Sequence, residues 1–334
     1  MQKLIYLAAG FILGFIFFWV LDSQFPGLLG SKKVVPATSW HLKSIETDLP
    51  PGLEGAKIKY GYLLITKTPE YIGPQASDES KRLAGNNLTC NNCHLSAGRK
   101  TGSGSFVGVF NRFPEFSGRE NKTSTLADRI NGCMERSMNG VAMDTTSEEM
   151  QAIIAYMEWL SKDVPPDQEK IYKGYRSITI PDIKADTARG HELYALHCLV
   201  CHQADGKGYA IPGRNFSGYL YPPIGGDDSF NNGAGMHRVI TSAEFIKWNM
   251  PFGATTESPV LTDDEAYHVA AYINSFERPI KAHLDQDYPD KKLKPVSAPY
   301  GPWADDFSQE QHQYGPFQPI MEYYKNTYDI VKNK

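Results

Sequence analysis

The sequence contains "CNNCH" at Cys90–His94 and "CLVCH" at Cys198–His202. C-x-x-C-H is the attachment signature for c-type heme, in which both thiols add to the heme vinyl groups and the adjacent histidine ligates the iron. A single match could arise by chance or form half of a zinc site, but two matches in one chain predict two covalently bound hemes c. The attachment residues are then Cys90, Cys93, Cys198 and Cys201, and the proximal iron ligands are His94 and His202.

The chain also contains an internal repeat. "TSEEMQAIIAYMEWL" at 146–160 and "TDDEAYHVAAYINSF" at 262–276 align without a gap, 116 positions apart. Each opens with T-x-x-E, the signature of a capping box, with Thr146 and Thr262 as the expected N-caps, and continues with apolar residues at helical spacing. This pattern predicts the C-terminal helix of a small helical cytochrome c domain, present twice.

The predicted fold is therefore all-α, with two cytochrome c-type heme domains in tandem. We place the first domain at 61–165 and the second at 186–280, joined by a linker at 166–185 that follows a polar, proline-containing stretch. The Pro- and Tyr-rich tail at 281–334 is expected to wrap the surface and not to form a third domain. A formal charge of -4 over 334 residues is close to neutral, so nothing in the overall charge suggests a nucleic-acid partner.

The N-terminus contains an uncharged stretch, "LIYLAAGFILGFIFFWVL", from Leu4 to Leu21. As a helix this run would reach roughly 27 Å, close to the hydrocarbon thickness of a bilayer. We predict a transmembrane signal anchor at 1–22, followed by an N-terminal extension at 23–60. The alternative is a cleaved signal peptide and a soluble periplasmic protein, although the run ends in "DSQFPG" and not in a small-x-small site. Both interpretations export the chain, and bacterial heme attachment takes place outside the cytoplasmic membrane, so we expect a periplasmic protein anchored to the inner membrane.

Each heme iron needs a second axial ligand unless its distal face is open, and in small cytochrome c domains this ligand is usually a methionine before the last helix. In the second repeat "KWNMPFG" supplies Met250, 12 residues before Thr262. Met236 lies further upstream in a glycine-rich context and is the competitor. A third possibility is that both methionines belong to the core.

In the first repeat the same distance before Thr146 falls on Cys133 and Met134, within "LADRINGCMERSMNG" at 126–140. Cys133 has no free partner for an intrachain disulfide, because the other four cysteines are assigned to heme. An odd cysteine in an exported protein is buried, paired between chains or reactive. Its position predicts that Cys133 is an axial ligand, while the alternative is a buried cysteine beside a Met134 ligand.

The residues around Cys133 are basic. Between Leu95 and Asn139 there are seven Lys and Arg against four Asp and Glu, in a chain that is negative overall. Arg129 lies four residues before Cys133, so the two side chains would share a face if this stretch is helical. Arginine suits oxyanions of sulfur or phosphorus, although a solvated basic face is the alternative explanation. The loop "TGSGSFVG" at 101–108 could form one wall of a pocket.

Together these motifs resemble those of the diheme thiosulfate dehydrogenases, which interconvert thiosulfate and tetrathionate. The likeness rests on the two C-x-x-C-H domains, on "GRENKTSTLADRINGCMERSMNG" at 118–140 and on "FIKWNMPFG" at 245–253, and it covers about 60–280. The resemblance implies a catalytic first heme ligated by His94 and Cys133. It also implies a second heme, ligated by His202 and Met250, which passes electrons to a periplasmic cytochrome or a membrane redox partner.

The resemblance further implies roles for side chains around the first heme. Arg119 and Arg129 would hold the substrate anions, Ser105 would contribute to the pocket wall, and Cys133 could leave the iron to act as a nucleophile. Some relatives have lysine before the second-heme methionine, where this chain has Asn249, so the resemblance does not indicate the preferred reaction direction.

Two other functions are compatible with the same motifs. The first is a membrane-anchored diheme electron carrier without a substrate of its own. The second is a subunit that carries sulfur intermediates covalently on Cys133.

Overall fold

A computed structural model of the chain describes residues 40–212 and 218–334. The predicted anchor at 1–22 lies outside the described residues, as do residues 23–39 of the extension that follows it. Within the described ranges, no helix is both long enough and apolar enough to cross a membrane. Leu42–Lys334 forms one compact unit that contains two hydrophobic cores, one around each C-x-x-C-H motif.

The regular structure is mostly helical, as predicted. The helices are α1 Gly52–Thr66, α2 Thr68–Ile72, α3 Leu95–Gly98, α4 Leu126–Met134, α5 Glu148–Ser161, α6 Pro166–Tyr172, α7 Thr187–His197, α8 Leu199–His202, α9 Val239–Asn249, α10 Asp263–Asn274, α11 Gln309–Tyr314 and α12 Gln318–Tyr328. Short 3-10 turns lie at Glu79–Lys81, Cys90–Asn92, Phe110–Arg112, Gly235–His237, Leu284–Gln286 and Lys291–Leu293. Two small antiparallel hairpins pair β1 Glu115–Ser117 with β2 Lys122–Ser124, and β3 Tyr209–Ala210 with β4 Tyr219–Tyr221.

Both domains use the same close helix crossing. In the first domain α1 packs on α5, and a Cβ added at Gly61 would lie 2.0 Å from the carbonyl oxygen of Ala152. In the second domain α7 packs on α10, and a Cβ at Gly190 would lie 2.1 Å from the carbonyl oxygen of His268. Any side chain would force these helices apart, so glycine is required at both crossings.

The caps of the two repeated helices differ. Thr262 caps α10 as predicted, with Glu265 completing the capping box. The prediction that Thr146 caps the first repeat is wrong, because α5 begins at Glu148 and Ser147 accepts the N–H of Met150. Thr146 is instead held by a turn in which its N–H donates to Asp144 Oδ1 at 2.8 Å.

The C-terminal tail packs into the second domain. Phe317 and Ile320 are completely buried, and Tyr324 is 1 % exposed, so α12 forms part of the second hydrophobic core. Before α11 the tail also runs over the first domain, where the N–H of Tyr288 donates to the carbonyl oxygen of Arg119 at 2.8 Å. This contact brings the tail to the edge of the site described next.

Candidate active site and heme-binding residues

The two C-x-x-C-H segments fold in the same way. The N–H of His94 donates to the carbonyl oxygen of Cys90, and that of His202 to the carbonyl oxygen of Cys198, both at 2.9 Å. Nδ1 of His94 lies 2.6 Å from the carbonyl oxygen of Gly104, and Nδ1 of His202 lies 2.9 Å from that of Pro222. Because a carbonyl only accepts, each Nδ1 carries the proton, which leaves Nε2 unprotonated and able to ligate iron.

An apolar cavity lies beside the first motif. Cys90, Cys93 and His94 line one part of it and Cys133 another, and the remaining wall is almost entirely apolar, including Ile65, Leu88, Phe106, Ile130, Met134, Ile153, Met157, Phe230 and Met236. Two thiols, an imidazole with a free Nε2 and an apolar lining form the donor set and surroundings that a covalent heme requires. The residues present therefore fit this group.

Cys133 lies near the C-terminal end of α4, one helical turn after Arg129. Arg129 Nη1 donates to Cys133 Sγ at 3.3 Å, so the two side chains share a face, as their spacing predicts. Burial alone would raise the pKa of the Cys133 thiol, but Arg129, the neighbouring His94 and the more distant Arg119 lower this pKa to about 6. Cys133 is therefore largely a thiolate at neutral pH, which is the form that binds metals and attacks sulfur.

A second, polar cavity of about 290 Å³ adjoins the first. Four arginines from both domains line it: Arg119, Arg129, Arg136 and Arg238. Cys93, His94 and Cys133 line both cavities, so the thiolate lies where an apolar chamber meets a cationic one. Such a cavity favours anions, because positive charge in a partly desolvated site interacts more strongly than it would in water.

The C-terminal tail holds two of these arginines through one carboxylate. Asp287 Oδ2 accepts from Arg119 Nη1 at 2.9 Å, and its Oδ1 accepts from Arg136 Nη2 at 2.7 Å. The hydroxyl of Tyr300 also donates to Asp287 Oδ2, at 2.9 Å, and the ring of Tyr288 lies 5.3 Å from the Arg119 guanidinium. Burial would raise the pKa of Asp287, but Arg119 and Arg136 lower it overall, so the carboxylate stays charged.

Ser105 does not line either cavity. Its hydroxyl donates to the carbonyl oxygen of Gly98 at 2.5 Å and accepts the N–H of Val107 at 3.2 Å. The loop at 101–108 instead supports the site through its backbone, because the carbonyl of Gly104 orients His94.

At the second motif, Met250 follows α9 directly and packs against the second core. The competing Met236 lines the two cavities of the first domain. Asn249 is 2 % exposed, and its Nδ2 donates to the carbonyl oxygen of Gly102 at 3.0 Å, which ties the end of α9 to the first domain. The same Nδ2 also donates to the carbonyl oxygen of Phe245 at 3.1 Å, so the amide group is held between α9 and the loop at 101–108.

Sequence reasoning missed several lining residues. Ser137 lines both cavities and lies four residues after Cys133, a spacing that could have suggested it. Arg136 belongs to the same basic stretch, but nothing in its sequence context set it apart. Arg238 and Asp287 lie more than 100 residues further along the chain, and no local pattern connects them with Cys133.

These features define the class of protein: a c-type cytochrome with two heme domains in one chain. A model of the SoxA/TsdA cytochrome c domain matches residues 79–165, and a cytochrome c model matches residues 187–277. The two matched segments contain the two C-x-x-C-H motifs, and the cofactors of this chain are two covalently bound hemes c.

Curated relatives narrow the class to a family. The thiosulfate dehydrogenase of Stutzerimonas stutzeri is 39% identical over 234 residues, which cover 70% of this chain and 71% of that one. The thiosulfate dehydrogenase of Psychrobacter arcticus is 38% identical, and the match covers 73% of this chain and 70% of that one. The thiosulfate dehydrogenase of Allochromatium vinosum is also 38% identical, and the match covers 70% of this chain and 82% of that one. The chain belongs to the thiosulfate dehydrogenase family and is an oxidoreductase.

A solved structure has a similar fold. Thiosulfate dehydrogenase (TsdBA) from Marichromatium purpuratum, in its as-isolated form, matches with a TM-score of 0.65 and 33% sequence identity. The match covers 73% of this chain and 50% of that chain, so half of the longer protein has no counterpart in the alignment.

Proposed function

We propose that this protein is a periplasmic thiosulfate dehydrogenase that joins two thiosulfate ions: 2 S₂O₃²⁻ → S₄O₆²⁻ + 2 e⁻. The observation that carries the proposal is the place of Cys133, a low-pKa thiol at the junction of an apolar heme-binding cavity and an arginine-lined cavity. The names of the curated relatives support the same substrate. Membrane anchoring through 1–22 stays a prediction from the sequence.

The residues that hold the hemes follow from the donor sets. Cys90, Cys93, His94 and Cys133 would hold the first heme. Cys198, Cys201, His202 and Met250 would hold the second heme. When bound, the hemes supply one-electron redox chemistry at each iron, which allows a two-electron oxidation to be divided between two centres.

The first contribution of the protein's side chains is to neutralise the negative charge of the substrate. Two dianions repel each other, so their approach requires fixed positive charge, which Arg129 and the other arginines of the cavity provide. Arg129 lies within hydrogen-bonding distance of Cys133 Sγ, so an anion bound to this arginine is held beside the thiolate.

Cys133 then acts as the nucleophile. Its thiolate and the outer sulfur of one thiosulfate form an S–S bond as two electrons leave: Cys–S⁻ + S₂O₃²⁻ → Cys–S–S–SO₃⁻ + 2 e⁻. The outer sulfur of a second thiosulfate attacks the sulfur bonded to Cys133 and displaces the thiolate, which releases S₄O₆²⁻ and restores Cys133. Atoms and charges balance in both steps, and no proton is taken up or released.

The test is anaerobic mixing of the oxidised, purified holoprotein with thiosulfate and no other enzyme. We expect the hemes to be reduced and tetrathionate to form in the ratio of one per two electrons. Sulfate, which cannot be oxidised, is the control and should cause no reduction. If thiosulfate leaves the hemes oxidised in both the presence and the absence of a cytochrome acceptor, the protein is an electron carrier and the proposal is wrong. Tetrathionate with a reductant measures the reverse direction.

A further inference from the structure

The second domain contributes the start of α9 to the arginine-lined cavity. Arg238 precedes the helix and Thr241 lies in its first turn, and both residues line the cavity with Arg129 and Cys133. The sequence motifs indicate no role for either residue, and in the chemistry derived above Arg238 only adds to the positive charge of the cavity, while Thr241 has no part.

Arg238 has no carboxylate partner within ion-pairing distance among residues 40–212 and 218–334. Its Nε makes a long hydrogen bond of 3.4 Å to the carbonyl oxygen of Gly235. Glu244, one turn further along α9, is held by Lys334 at 2.6 Å. On the cavity wall Arg119 and Arg129 repel Arg238, while the buried Glu244 carboxylate attracts it without forming an ion pair. Arg238 is half-buried, and a cation that lies beside two like charges is stabilised by an anion.

Thr241 gives independent evidence for a ligand. It is 4 % exposed, and its Oγ1 is buried without a hydrogen-bond partner in the part of the chain that the structure describes. A buried hydroxyl left unpaired is unfavourable, and native proteins pair nearly all such groups. No side chain caps α9, so the N–H groups of its first turn also lack the partner that a cap would supply.

Three carboxylates near the cavity have partners elsewhere, and a fourth, Glu115, also lines the cavity but is exposed to solvent. Asp287 is held between Arg119 and Arg136, Asp128 caps α4 through Thr125, and Glu120 accepts from Ser124. The positive charge of Arg238 is therefore not neutralised by any of these three carboxylates.

We propose that Arg238, Thr241 and the first-turn N–H groups of α9 form a second anion subsite, which binds the sulfonate group of the second thiosulfate. This inference rests on the proposed function, because that reaction requires two dianions in one cavity. The first anion lies at Arg129 beside Cys133, and the second is held by the opposite domain. The two domains thus each bind one of the molecules that the reaction joins.

The test compares Arg238→Gln, Arg238→Lys and Thr241→Val with wild type in thiosulfate oxidation. We expect Arg238→Gln to raise the thiosulfate KM ten- to a hundredfold, which is the scale of one charge-assisted contact, with a smaller change in kcat. Thr241→Val should raise KM a few-fold, and Arg238→Lys should restore part of the loss. Arg189→Gln, which removes an exposed arginine of the same domain, is the matched control and should stay within twofold of wild type.

Calorimetric titration of sulfate into the oxidised holoprotein gives a readout that does not depend on turnover. We expect two sulfate ions to bind wild type and Arg189→Gln, and one to bind Arg238→Gln. Equal stoichiometry and affinity in wild type and Arg238→Gln would overturn the subsite, as would unchanged KM values in both Arg238→Gln and Thr241→Val. If wild type binds two sulfate ions but does not oxidise thiosulfate, the subsite stands and the proposed reaction is wrong. Should Arg238→Gln fail to fold, Thr241→Val decides the question.

Discussion

Replacing Asp287 by asparagine tests whether the tail holds the arginines of the cavity. Removing one partner of a buried ion pair costs about 3–5 kcal/mol, because the other charge is left uncompensated. Here two guanidinium groups lose their carboxylate, but the Arg119 side chain is 18% exposed and can be solvated from the cavity. Asparagine also keeps one oxygen acceptor. We therefore expect Asp287→Asn to reduce the free energy of unfolding by about 2–3 kcal/mol, a fall in Tm of roughly 4–12 °C.

The measurement is thermal unfolding of the holoprotein at several pH values, with Asp285→Asn as a control that removes an exposed carboxylate two residues away. The folded-state pKa of Asp287 is lowered from 3.8, so its contribution is complete above about pH 5 and is lost as the pH falls below about 4. The Tm difference between wild type and Asp287→Asn should therefore shrink on acidification. A difference that is the same at pH 7 and pH 3, or no larger than that of Asp285→Asn, would show that the ion pair is not what stabilises this contact.

Four further outcomes test the heme and substrate residues. The double variant Cys90→Ser/Cys93→Ser should lose the first heme only, which a heme-to-protein ratio of one would show. Met250→Gly should change the spectrum and potential of the second heme while thiosulfate still binds, and no change would exclude Met250 as the ligand. Cys133→Gly should abolish the low-spin signal of His/thiolate coordination and nearly all turnover, yet keep both hemes attached. Arg129→Ala should leave the heme spectrum nearly intact and slow turnover ten- to a hundredfold, the scale of one charge-assisted contact.

Local sequence patterns predicted the parts of the molecule that depend on local structure. C-x-x-C-H forms its heme-binding turn within five residues, so the motif alone indicated the cofactor. The spacing of Arg129 and Cys133 predicted their contact, because residues four apart on a helix share a face. The predicted capping box at Thr262 is confirmed, because it too depends only on neighbouring residues. The predicted cap at Thr146 is wrong, because the adjacent Ser147 is an equally good N-cap residue and takes that position.

The rest of the site depends on contacts between distant parts of the chain. Arg119 and Asp287 are 168 residues apart in sequence, and neither the repeat nor the charge pattern pairs them. Arg238 comes from the second domain and could be placed only once the packing of α9 was known. Ser105 was assigned to the pocket wall by the resemblance alone, and its hydroxyl is used within the loop.

The four arginines of the cavity differ in whether a carboxylate neutralises them, and this difference predicts what each can do. Arg119 and Arg136 share Asp287, which fixes their geometry and reduces their net attraction for an anion. Arg129 contacts the Cys133 thiolate, and Arg238 has no carboxylate partner in the described ranges. An incoming dianion therefore gains most from Arg129 and Arg238, one from each domain. It follows that neutralising either of these two should raise the thiosulfate KM more than neutralising Arg136, although all four carry the same formal charge.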